Sequence, residues 1–177
     1  MRKILALTAA LLLSASWSFA QTYAGTGTSS ITVSIGAEAS IYVSTSTTTL
    51  SEGATPFANF AGTTNFSYKI RTTKSGGSGY ITVLFGGPLS DSAADTIALT
   101  NLSYVCTDVA PASGSNCASA VTASSSTGTK VADFGTDAHS LDAGTTGNSL
   151  AWTLVNLPTY ETGTSYSATA TFTISAS

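Results

Sequence analysis

The sequence predicts an all-β fold, an antiparallel sandwich of about seven to nine strands, and three observations carry that expectation. Apolar residues recur at every second position through much of the chain, clusters of Gly, Pro, Asn and Ser separate these runs at short intervals, and no stretch repeats apolar residues at helical spacing. Composition agrees, because Ser and Thr fill most polar positions and charged residues make up only 8% of the chain. Threonine is β-branched and suits a pleated, half-wet surface, so the outer faces of strands can be hydrated with few charges.

Ahead of the first strand, Met1, Arg2 and Lys3 lead into the apolar run Ile4 to Leu13, followed by small residues ending in Ser18, Phe19 and Ala20. A basic start, a short apolar stretch and a small-aromatic-small tripeptide make a signal peptide cleaved after Ala20; the run falls well short of the roughly 20 residues a spanning helix needs. Residues 1–20 are therefore read as a leader, 21–36 as an N-terminal extension and 37–177 as a single sandwich domain. Export carries the chain through the periplasm to the cell surface or beyond, with no membrane span after cleavage. Of the six Lys and Arg, two leave with the leader, and Lys69, Arg71, Lys74 and Lys130 face nine carboxylates. An acidic, charge-poor chain of this kind repels phosphate backbones, which argues against a nucleic-acid partner.

Behind the polar, Gly-rich lead from Gln21 to Ser30, the residues Ile31, Val33, Ile35, Ala37, Ala39, Ile41 and Val43 alternate without a slip against Thr32, Ser34, Gly36, Glu38, Ser40 and Tyr42. One register over 31–43 is long beside a typical strand of about five or six residues, so a division is expected, with a hinge at Gly36 to Ser40. Alternation reports one buried face and leaves its location open: an ordinary edge strand of the same sandwich, or an extended arm that adds to the sheet edge of a neighbouring copy. Ile31, Val33 and Ile35 are the candidate donor residues of such an arm.

Further strands are expected at Phe66 to Arg71, Tyr80 to Phe85, Thr96 to Val105, Thr129 to Phe134, Leu150 to Leu157 and Ser165 to Ile174. Turn chemistry separates them at 75–79, 86–88 and 144–148. Trp152, flanked by Leu150 and Leu154 on one face, is the candidate centre of the core. Short strands at this spacing point to an immunoglobulin-like sandwich. Cys106 and Cys117 close a short loop in an exported chain, which predicts a structural disulfide contributing about 3 kcal/mol through the unfolded state.

The order of amphipathic arm, first strand, disulfide-bearing sandwich and final alternating strand resembles the chaperone-usher pilins, particularly those of the spore coat protein U type. At the C-terminus the resemblance rests on 162–174, where Gly163, Thr164 and Tyr166 precede alternating Ala168, Thr169, Ala170, Thr171, Phe172, Thr173 and Ile174. At the N-terminus it rests on Ile31 to Ile35, similar to a donor arm, and on Leu50 and Ser51 near the place of a Leu-x-Phe-Gly motif. Position 41, where many relatives carry a first cysteine, is Ile, and the chain ends in Ser175, Ala176 and Ser177 rather than on an aromatic residue. The resemblance implies a self-assembling fibre subunit served by a periplasmic chaperone and an outer-membrane usher.

Enzymatic chemistry is not expected. One mature histidine, no Gly-x-Ser-x-Gly elbow, no phosphate-cradling loop and no thiol beside a base leave no catalytic set, and no cofactor is implied. Asp133, Asp137, His139 and Asp142 lie close in sequence, but their spacing matches no EF-hand, and a solvated turn is expected there rather than a metal site. Asp91 and Asp95 read the same way. Lys69, Arg71 and Lys74 read as a basic stripe that protects a strand edge. Asn65 and Asn101 begin glycosylation tripeptides inside expected strands, where a glycan would sit poorly. The expected function is thus a secreted structural subunit of a pilus-like fibre or surface layer. The alternative is a monomeric sandwich that binds carbohydrate or a host surface through Tyr23, Tyr42, Tyr80, Tyr104, Tyr160 or Tyr166.

Overall fold

A computed structural model describes residues 27–107, 117–162 and 165–177. The expected leader, Tyr23, the 108–116 portion of the disulfide loop, and Gly163 and Thr164 lie outside the described residues. The chain divides into two units, Met1–Ser34 and Ile35–Ser177. Of the first, 27–34 carry no strand.

The second unit is an all-β sandwich. Its strands are β1 (Glu38–Val43), β2 (Ser51–Glu52), β3 (Phe60–Arg71), β4 (Gly79–Phe85), β5 (Leu89–Ser90), β6 (Thr96–Ile97), β7 (Leu102–Thr107), β8 (Val121–Thr122), β9 (Thr129–Phe134), β10 (Thr145–Leu154) and β11 (Ala170–Ala176). One sheet runs β1-β3-β10-β7-β8, with β2 also beside β3; the other runs β11-β4-β9; β5 and β6 form a small ribbon, and all these pairings are antiparallel. The seven longer strands are the ones that hydrophobic alternation detects, and the four two-residue elements are too short to show a period.

The inner faces come from the alternation, which a bulge shifts by one residue in β9. Phe66, Tyr68 and Ile70 of β3, Ile81, Val83 and Phe85 of β4, Val131 and Phe134 of β9, and Leu150, Trp152 and Leu154 of β10 are buried in one core. Trp152 sits at its centre, edge-on to Tyr104 at 5.0 Å and to Phe85 at 5.6 Å between ring centroids. Its indole N–H donates to Thr64 Oγ1 at 2.8 Å, and Thr64 in turn bonds Thr48, so the one polar atom of the ring is satisfied inside the sandwich.

Three expected elements differ in detail. The run 31–43 becomes a strand only from Glu38, where its backbone meets Arg71 of β3. The segment 96–105 divides at a 3-10 turn over Leu99–Asn101, and its buried residues Ile97, Leu99, Leu102 and Tyr104 accordingly step by three between 99 and 102, which a regular strand without a bulge does not allow. The expected turn at 144–148 is instead the bulged start of β10: the register slips between Thr145 and Asn148, Gly147 takes φ +80°, and the buried Asn148 amide donates to the Thr145 carbonyl at 2.8 Å. Asn101 belongs to the 3-10 turn and not to a strand.

Candidate functional site

A sandwich of two sheets has two long seams where the sheet edges approach, and here the two are built differently. The β7/β8–β9 seam is closed. Cys117 bridges it, its backbone carbonyl accepting from Cys106 N–H at 2.9 Å and its own N–H donating to Val131 O of β9 at 3.2 Å. Cys106 and Cys117 are joined as a disulfide, with Cα atoms 5.0 Å apart. Beside them the Tyr104 hydroxyl donates across the seam to the Lys130 carbonyl at 2.8 Å. Farther along, the Phe85 N–H donates to Ser124 O and the Ala123 N–H to Leu102 O, so 123–124 ties β4 to β7.

The opposite seam, between β1 and β11, has no such closure among the described residues. β1 is hydrogen-bonded as a strand only to β3, and β11 only to β4, so each presents a free edge to the gap. The tail strand β11 is thus an edge strand of its sheet. Ala39, Ile41 and Val43 point inward from β1, and Ala170, Phe172, Ile174 and Ala176 from β11; all are only half-buried, although their counterparts on β3, β4 and β10 are fully buried. At the floor, Phe172 packs against Phe66 with ring centroids 5.8 Å apart. The result is a narrow apolar slot in which β1 and β11 lie close together without pairing, the facing backbone edge of each unpaired.

The two walls run in opposite directions, and the chain enters the sandwich beside one end of the slot. There Arg71 holds the entry segment, its Nε donating to Gly36 O at 2.9 Å and its guanidinium pairing with Glu38 at 3.0 Å. The candidate donor residues are exposed to 94% at Ile31, 77% at Val33 and 65% at Ile35. The two edges were not legible in the sequence, since β1 and β11 come to end their sheets only through nonlocal pairing. The one local signal was the tail itself, whose every-second residues are apolar.

The remaining candidates separate from one another. Asp137 and His139 pair at 2.9 Å, Asp133 pairs with Lys130 on β9, and Asp142 lines a shallow cleft of about 300 Å³ with Glu38, Lys69, Arg71 and Ser140. Among the described residues no group of three His, Cys, Asp or Glu side chains is placed to hold a metal ion. Asp91 instead organises its own loop, Oδ1 accepting from the N–H groups of Ala93 and Asp95. Tyr104 is buried, Tyr160 and Tyr166 are half-buried, and the exposed Tyr42 and Tyr80 belong to different sheets, so these tyrosines form no common platform. No helix among the described residues is long and apolar enough to cross a membrane. Comparison of the chain with family models, with curated proteins and with solved structures finds no match.

Proposed function

We propose that this chain is an exported structural subunit of a fibre or surface layer, in which the arm Ile31 to Ile35 of one copy parts the unpaired β1/β11 seam of another and pairs there. The observation that carries the reading is the exposed, alternating apolar arm Ile31, Val33 and Ile35, leading into a sandwich whose edge strands β1 and β11 lie side by side unpaired, with half-covered apolar side chains. An added strand would pair with the unpaired backbone on both walls and bring apolar residues at every second position. Ile31, Val33 and Ile35 have that period and match the spacing of Ala39, Ile41 and Val43 on one wall and of Ala170, Phe172 and Ile174 on the other. Burying each aliphatic side chain contributes about 1.5–3 kcal/mol, and each backbone hydrogen bond about 0.5–1.5 kcal/mol. An uncovered slot of this kind invites wrong pairing during export, which is the work a periplasmic chaperone would do before an outer-membrane usher joins the subunits.

Val33→Asp combined with Ile35→Asp tests the reading in the mature chain. A carboxylate carried into the slot has no partner there, so multimers are lost from unheated denaturing gels and filaments from negative-stain images. Because both residues are exposed, the monomer's thermal unfolding is unchanged. Persistent multimers, or a monomer that no longer folds, would overturn it.

A further inference from the structure

Only Gly36 and Ala37 separate Ile35 from Glu38, so the arm Ile31 to Ile35 is tethered beside a seam of the kind it is proposed to fill, that of its own chain. A short tether gives the arm an effective concentration in the millimolar range at its own seam. With the chain at micromolar concentration, its own arm would then outcompete another copy's about a thousandfold, and no multimer would grow. Something must hold the arm out.

The phase of the hinge does so. An arm that folds back pairs with the free edge of β1 as an antiparallel hairpin, and residues opposite each other in such a pair share a face. On β1, Ala39, Ile41 and Val43 face the core, whereas Glu38, Ser40 and Tyr42 face solvent. Gly36 and Ala37 suit a two-residue loop of type II′, which takes Gly first. That loop sets Ile35 opposite Glu38, Val33 opposite Ser40 and Ile31 opposite Tyr42, so the three apolar residues land on the wet face while Thr32 and Ser34 turn to the core. The matching register needs a three-residue loop, whose last residue is left-handed and best supplied by Gly. Closing over 35–37 makes Ala37 that residue and gives up Ile35. Closing over 36–38 makes it Glu38, which is held in β1 opposite Arg71 and paired with its guanidinium. Arg71 also fixes the hinge itself, its Nε donating to Gly36 O at 2.9 Å, and Gly36 does not take the positive φ that a II′ turn requires at its first position.

Resting on the strand-exchange reading above, we infer that the hinge is a register block: it puts the arm out of phase with its own seam and leaves it for the seam of another copy, where no loop fixes the register.

The test compares full mature chains at micromolar concentration on unheated denaturing gels and in thermal unfolding. One Gly inserted between Gly36 and Ala37 moves the loop to the new Gly and Ala37, sets Ile35, Val33 and Ile31 opposite Ala39, Ile41 and Val43, and keeps Glu38 in β1. This chain loses its multimers and melts about 10 °C higher, because its own arm covers the seam. Thr32→Val and Ser34→Ile combined with Val33→Ser and Ile35→Ser bring the arm into phase through the natural loop, and give the same result with no change of length. One Gly inserted between Ser29 and Ser30, ahead of the arm, leaves multimers and melting as in the wild type. Multimers and melting unaltered by both phase changes would overturn the register block and leave strand exchange standing. A wild-type chain without multimers would overturn strand exchange; if it melts as high as the inserted chain, the block falls too, and if it melts lower, the block is upheld.

Discussion

At the scale of single residues, the middle of the sandwich is held by aromatic side chains whose polar atoms are nearly all accounted for. Tyr104 packs on Trp152 and sends its hydroxyl across the closed seam to the Lys130 carbonyl; Tyr68 packs on Phe134 at 5.3 Å. Burial pushes both phenols above their ordinary value of 10.0, and the hydrogen bonds that Tyr68 shares with Thr145 and Tyr104 with Thr129 offset this only in part. A raised folded-state value means that the native state holds its proton more tightly than the unfolded chain does. The stabilisation is therefore complete below pH 10 and is lost as the pH rises through the folded-state values. Thermal unfolding followed from pH 8 to pH 11.5 is expected to show a flat melting temperature up to about pH 10 and a steep fall above it, with a shallower fall in Tyr104→Phe.

At the scale of elements, the disulfide and the arm have opposite parts. Cys106 and Cys117 join β7 to the segment that reaches β9, so they hold the closed seam. Replacing both by Ala is expected to cost about 3 kcal/mol in denaturant unfolding, with the alkaline transition of Tyr104 moving to lower pH as that seam loosens. Most of the seven longer strands were legible because they alternate in hydrophobicity, and Trp152 was legible as a core residue because Leu150 and Leu154 share its face. The first half of β3 was not legible. Its residues Ala61 to Asn65 are small and polar, and the inward one, Thr64, is buried only because it serves Trp152. Gly62 lets the 48–50 loop approach so closely that a Cβ there would stand 2.5 Å from Thr49 O, a requirement that no periodicity displays. The alternation of Ile31 to Ile35 was readable, but the unpaired edges of β1 and β11 were not, since which strands end a sheet is decided by long-range pairing.

At the scale of the whole molecule, one seam is stitched by hydrogen bonds and the disulfide, while at the other β1 and β11 meet without pairing and leave their inward apolar side chains half-covered. The central claim is that another copy covers them, and amide hydrogen exchange reads that directly. In the folded monomer the edge amides of β1 and β11 that face the slot, and the amides of 31–35, exchange rapidly; in isolated multimers both sets are expected to become protected together, while β3, β4 and β10 remain as slow as in the monomer. Multimers in which 31–35 and the β11 edge exchange as fast as in the monomer would contradict strand exchange and place the contact between copies elsewhere.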